Sequence, residues 1–237
     1  MRTDFILAII FLLAMYRCQN SANNGDIAKN NYPLVLVIGF DRSLSMGSAS
    51  VADTSDIRRI CEVLLQYGRA ATLGFEVIGV PSDRKFLRLD LLAQVKKKTA
   101  SLSKLAVVSD SNALILAINR QRMEVFIRDC QHRLDEASEN SHYTDLNGFL
   151  SQSDTFISEL QLQGYRKMIL CNSDGKHDAP VGRAVPSRDM KTRCPEWPSN
   201  CAFYVCNWQS DTTGCGIDGV FESMEGFHHF FQQQYAI

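Results

Sequence analysis

The chain has little glycine (14 residues) and little proline (6), and no excess of either charge: 25 basic residues stand against 26 acidic ones, for a formal net charge of -1. The missing charge excess removes the electrostatic footprint that a polyanion such as nucleic acid requires. None of the eight cysteines forms a C-x-x-C pair, and there is no G-x-S-x-G nucleophile elbow and no P-loop. The one long apolar run, Phe5 to Met15, falls short of the roughly 20 residues of an ordinary membrane span. What is present is an ordinary globular composition, 45% hydrophobic and 22% charged over 237 residues, enough for one sizeable core.

Arg2 in a short polar head, the apolar run and the Asn- and Ser-rich stretch behind it have the organisation of an export signal. We expect residues 1–22 to be an export signal, 23–32 a polar linker and 33–237 one domain, with the protein periplasmic or at the cell envelope or surface. Cys18, directly after the run, resembles the cysteine of a bacterial lipoprotein signal and would give a lipid anchor to the membrane. Tyr16 and Arg17 stand where that pattern prefers small residues, and simple cleavage near Ser21 or Ala22 is the alternative. Eight cysteines fit an oxidising compartment. Cys194, Cys201, Cys206 and Cys215 crowd one region without zinc-site spacing, so one or two disulfides are expected there, with Cys194 to Cys201 as a candidate. Cys61, Cys130 and Cys171 sit in apolar patterns and read as small core residues.

Along the chain, 34–40 reads as a buried strand, 53–71 as an amphipathic helix capped by Thr54 or Ser55, and 73–80 as a strand. The alternation of 86–92 suggests a half-buried, antiparallel edge strand. A short helix, a break and a long helix follow up to Asn140, the long one with Leu116, Met123, Ile127, Cys130 and Leu134 on one side. A helix from Thr144 to about Gly164, strands at 167–171 and 201–208, and a terminal helix with Val220, Met224, Phe227 and Phe231 inward complete the pass. This alternation predicts an α/β domain: a doubly wound, mostly parallel sheet with one antiparallel edge strand and helices on both faces.

Ligands in such folds bind outside the carboxyl ends of the strands. Three oxygen-rich segments fall at such places: "DRSLS" after the first strand, "YTDLNG" opening the later helix and "NSDG" after "MILC". Asp41, Ser43 and Ser45 at alternate positions form a hard, oxygen-only set of the kind that suits Mg2+, or Mn2+, and leaves waters in place. Taken alone, the run is equally ordinary turn and cap chemistry.

With Thr144, and with Asp174 followed by Gly175, the chain resembles the von Willebrand factor A domain family, which includes the integrin inserted domains, and in particular its metal-ion-dependent adhesion site. The resemblance spans about Leu34 to Gln234. It implies a Mg2+-type ion held by Asp41, Ser43, Ser45, Thr144 and Asp174, the carboxylates acting directly or through water, and a protein ligand whose Asp or Glu completes the shell. Two departures stand out, the long connection from Leu91 to Tyr143 and the long loop from Lys176 to Asn200. His177, Asp178 and Asp145 are candidates for a supporting shell, or simply loop residues; His228 and His229 read as packing or surface residues of the terminal helix. The expected function is thus an exported, non-enzymatic binding module. A metal-dependent hydrolase and a metal-free scaffold are the alternatives.

Overall fold

The sheet is built outward from β1 (Leu34–Asp41), in which every residue is buried. A strand covered on both faces reads as a continuous apolar run rather than an alternation, which is why Leu34 to Phe40 contains no polar side chain. The computed structural model describes residues 32–43, 46, 51–79, 85–95, 102–138, 144–160, 164–176, 201–210 and 216–235, with side chains in 102–138 described from 108 onward. The expected signal and linker up to Asn31, with Cys18, lie outside the described residues, as do Ser45, His177, Asp178, Cys194 and Cys215.

On either side of β1 lie β2 (Ala71–Ile78) and β4 (Arg166–Asn172), both parallel to it. β3 (Leu87–Leu91) pairs antiparallel with β2, while β5 (Cys201–Cys206) and β6 (Gly219–Phe221) extend the other side in parallel. The order is β3-β2-β1-β4-β5-β6, the doubly wound arrangement that the alternation of elements predicts. Four helices lie among the described residues: α1 (Thr54–Tyr67), α2 (Leu102–Ser138), α3 (Leu146–Glu159) and α4 (Met224–Tyr235).

Alternate residues of β1 serve two cores. Leu34, Leu36, Ile38 and Phe40 face a large cluster with α1, α2 and α4, whereas Val35 and Val37 face a smaller one with α3. Burying each such side chain is worth roughly 1.5–3 kcal/mol relative to leaving it exposed. Gly39 continues the α3 face and is needed there: a Cβ on it would lie 2.3 Å from Cζ of Phe149, whose ring rests against the strand. Between the N-termini of α1 and α4, His228 Nε2 lies 2.8 Å from Asp56 Oδ1, and Arg59 pairs with Glu225. The antiparallel edge strand is present as expected, with Leu89 and Leu91 buried and Arg88 and Asp90 exposed.

Several expectations need correction. The cap of α1 is Asp53, not Thr54 or Ser55: its Oδ1 accepts from Ser55 N–H at 2.7 Å, while Asp56 Oδ2 accepts from Asp53 N–H at 3.1 Å. That reciprocal box satisfies two orphan donors at the helix start. No break interrupts α2, because Ser109, Asp110 and Ser111 carry neither Gly nor Pro chemistry, the first two exposed and Ser111 half-buried on a continuous helix. Val220 is not on the terminal helix; it belongs to β6 and is 54% exposed, and the helix starts only at Met224. Cys201 and Cys206 are free thiols among the described residues, and the Cys194 half of the expected pairing lies outside them. Cys201 is the first residue of β5, in register with Lys167, and packs against the α3-side core. Burial pushes its thiol up to about 12.

Gly39→Ala forces Phe149 out of its seat, and we expect a stability loss of about 1–3 kcal/mol. A lowered urea midpoint with unchanged slope is the expected reading; an unchanged midpoint would show that the ring is not held where described.

Candidate metal centre

The chain leaves β1 toward β2 on one side and returns through α3 to β4 on the other, so loops diverge at the carboxyl ends of β1 and β4. Such a switch point opens a crevice without the need for any special loop. Asp41 ends β1 at this crevice with 0% exposure. Its Oδ1 accepts from Ser43 N–H at 2.8 Å and its Oδ2 accepts from Ser173 Oγ at 2.7 Å. Thr144 Oγ1 reaches the same carboxylate at 3.4 and 3.5 Å. Ser43 and Thr144 are themselves buried, and the Ser43 carbonyl accepts from Met46 N–H at 3.1 Å, which turns the chain directly after the strand.

Ser173 and Asp174 come from the end of β4. Ser173 N–H donates to the Cys206 carbonyl at 3.2 Å, and the Asp174 carbonyl accepts from Gln209 N–H at 3.0 Å and from Ser210 Oγ at 3.2 Å. The β4 loop is thereby fastened to the end of β5, and an Asn207-to-Asn172 side-chain bond of 2.6 Å adds to it. Gly175 then takes φ +78 beneath Trp208, where a Cβ would stand 2.6 Å from Cε2. Only glycine fits both constraints.

Asp174 is 1% exposed. Its Oδ1 accepts from Lys176 N–H at 3.0 Å, whereas Oδ2 has no hydrogen-bond partner. The Lys176 ammonium lies 3.0 Å from that oxygen, close enough for an ion pair but outside hydrogen-bond geometry. Burial, partly offset by the Ser43 and Ser173 donors and reinforced by the charge of Asp174, holds the Asp41 carboxyl above its ordinary 3.8. Two carboxylates thus share a buried site, and one of their oxygens has no donor. Such an arrangement is costly without a cation nearby, and the Lys176 ammonium stands beside it.

Of the residues named from sequence, Asp41, Ser43, Thr144 and Asp174 are all buried at this end of the sheet. Ser45 lies outside the described residues. Asp145 is not a ligand candidate in this arrangement: it caps α3, its Oδ1 accepting from Gly148 N–H at 2.9 Å. His228 is a buried packing residue and His229 an exposed one. Sequence reasoning missed Ser173, which donates to Asp41 and accepts from Gly175 N–H at 3.1 Å. Its place in "NSDG" beside Asp174 was the available signal. Among the described residues no group of three His, Cys, Asp or Glu gathers, so the donor set is two carboxylates and hydroxyls. Hard oxygen donors of this kind fit a cation of the magnesium type.

No family model matches the chain, and no curated protein sequence matches it. Among solved structures, two crystal structures of the pilus adhesin SpaC from Lactobacillus rhamnosus GG, one of them in an open conformation, are similar at a TM-score of 0.47 with 11% and 12% identity. Each match covers 87% of this chain and 30% of the adhesin, so the chain spans under a third of the length of those proteins.

An acid whose pKa is raised by folding binds its proton more tightly in the native state. The contribution of Asp41 therefore favours folding at low pH and is lost as pH rises from 3.8 through the raised value. In cation-free protein at pH 7, Asp41→Asn should raise Tm and remove that part of the pH dependence. A lower Tm in thermal melts would mean that the Ser43 and Ser173 donors outweigh desolvation.

Proposed function

We propose that this domain is a binding module that engages a protein partner through a Mg2+-type cation at the β1/β4 crevice. The observation that carries this reading is the pair of buried carboxylates, Asp41 and Asp174, the Oδ2 of the latter met among the described residues by the ion pair to the exposed Lys176 ammonium and by no hydrogen-bond donor. Asp41, Ser43, Ser45, Thr144 and Asp174 would hold the ion, with Ser173 orienting Asp41 through its 2.7 Å bond. When bound, the cation supplies an incompletely neutralised charge that an Asp or Glu of a partner completes. The protein's own residues contribute rigidity: Asp41 ends a strand buried on both faces, and the Asp174 loop is tied to β5 at its own carbonyl. A binding rather than hydrolytic use is supported by Asp145, the described candidate for a general base, which is committed to capping α3.

The scaffold alternative would leave Asp174 Oδ2 held by the exposed Lys176 ammonium without a hydrogen bond. Export through residues 1–22 and a lipid anchor at Cys18 belong to the same proposal and would present the crevice at the cell envelope. Adhesion at a surface is the use we infer for it.

Titration calorimetry with Mn2+ and Mg2+ should give one site per chain, abolished in Asp41→Ala and weakened at least tenfold in Thr144→Ala. Capture of envelope proteins on the immobilised domain should be lost on chelation. Absence of any divalent-ion binding by correctly folded protein would refute the reading.

A further inference from the structure

Lys176 stands two residues after Asp174 and answers both oxygens of its carboxylate, the backbone N–H bonding Oδ1 at 3.0 Å and the ammonium lying 3.0 Å from Oδ2. The left-handed Gly175, closed in by Trp208, turns the chain back so that one residue reaches both. The two contacts differ in kind. The N–H bond is part of the turn, whereas the ammonium ends a flexible stem that is 57% exposed and brings charge without hydrogen-bond geometry. Oδ2 is also the oxygen left over for a cation.

We infer that Lys176 is a tethered competitor for the cation site, its ammonium neutralising Asp174 when no metal is bound and having to swing into solvent before a divalent ion can enter. This rests on the metal reading above. Whether the ion meets Asp174 directly, at about 2.1 Å for magnesium, or through a water, it takes up the same oxygen and the same negative charge, and it repels a nearby ammonium. The swing itself is easy, because a lysine stem that is largely in water loses little packing. Lys176 thereby sets the cation concentration at which the crevice becomes competent to bind, and it keeps the buried carboxylate paired below that concentration.

The test compares Mn2+ binding by calorimetry in the wild type, Lys176→Gln and Lys176→Arg, with the Mn2+-induced rise in Tm as a second readout. The backbone N–H bond to Oδ1 is kept in both variants, so the turn survives. Removing the charge should tighten Mn2+ binding by up to about fivefold, the upper end of what a partly exposed ion pair is worth. It should also lower Tm without metal and enlarge the Mn2+-induced rise. Lys176→Arg should behave as the wild type. Equal or weaker Mn2+ binding by Lys176→Gln overturns the competitor role and leaves the metal reading standing; no binding by either the wild type or Lys176→Gln overturns both.

Discussion

A carboxylate withdrawn wholly from water must be matched by donors or by a cation, and the end of β1 places Asp41 under that requirement. Its neighbours follow from it. Ser43 turns back to offer its N–H, Ser173 sends a hydroxyl from the next strand, and Thr144 brings the start of α3 to the same group. Those bonds join segments that are 103 and 132 residues away from Asp41 in sequence, so the crevice is held by polar chemistry where the apolar core ends.

Below that polar layer the sheet is held by burial on both faces. The larger core lies under α1, α2 and α4, and the smaller under α3, where Gly39 lets Phe149 lie against the backbone of the central strand. The close seat of α3 matters to the crevice, because Thr144 and the Asp145 cap immediately precede this helix. Packing on the α3 face therefore fixes a hydroxyl at the site. The Asp56–His228 contact performs a similar service between α1, which follows the Asp41 loop, and α4.

The crevice is polar without being fully satisfied. Asp41 draws its donors from separate segments of the fold, whereas among the described residues Asp174 meets Lys176 at both its oxygens. That asymmetry separates the two carboxylates chemically. One is locked by the fold, and the other is neutralised by a charge that can leave.

The sequence by itself determined the fold class, because hydrophobic periodicity is local: the unbroken apolar run of β1, the Leu89 and Leu91 alternation of the edge strand and the helical stripe from Met123 to Leu134 each follow from neighbouring residues. It also marked Asp41, Thr144 and Asp174 as members of one oxygen-rich set. Short or competing signals were not legible in it. β6 is three residues long with an exposed valine, Asp53 outcompeted two hydroxyl caps, and nothing local forbade α2 from running through Ser109–Ser111. Only the tertiary structure decided that Ser173 bonds Asp41, 132 residues away, and that Lys176 folds back over Asp174. The first depends on which strand ends the topology makes neighbours and the second on where the left-handed Gly175 sends the chain, and neither is carried by local residue pattern.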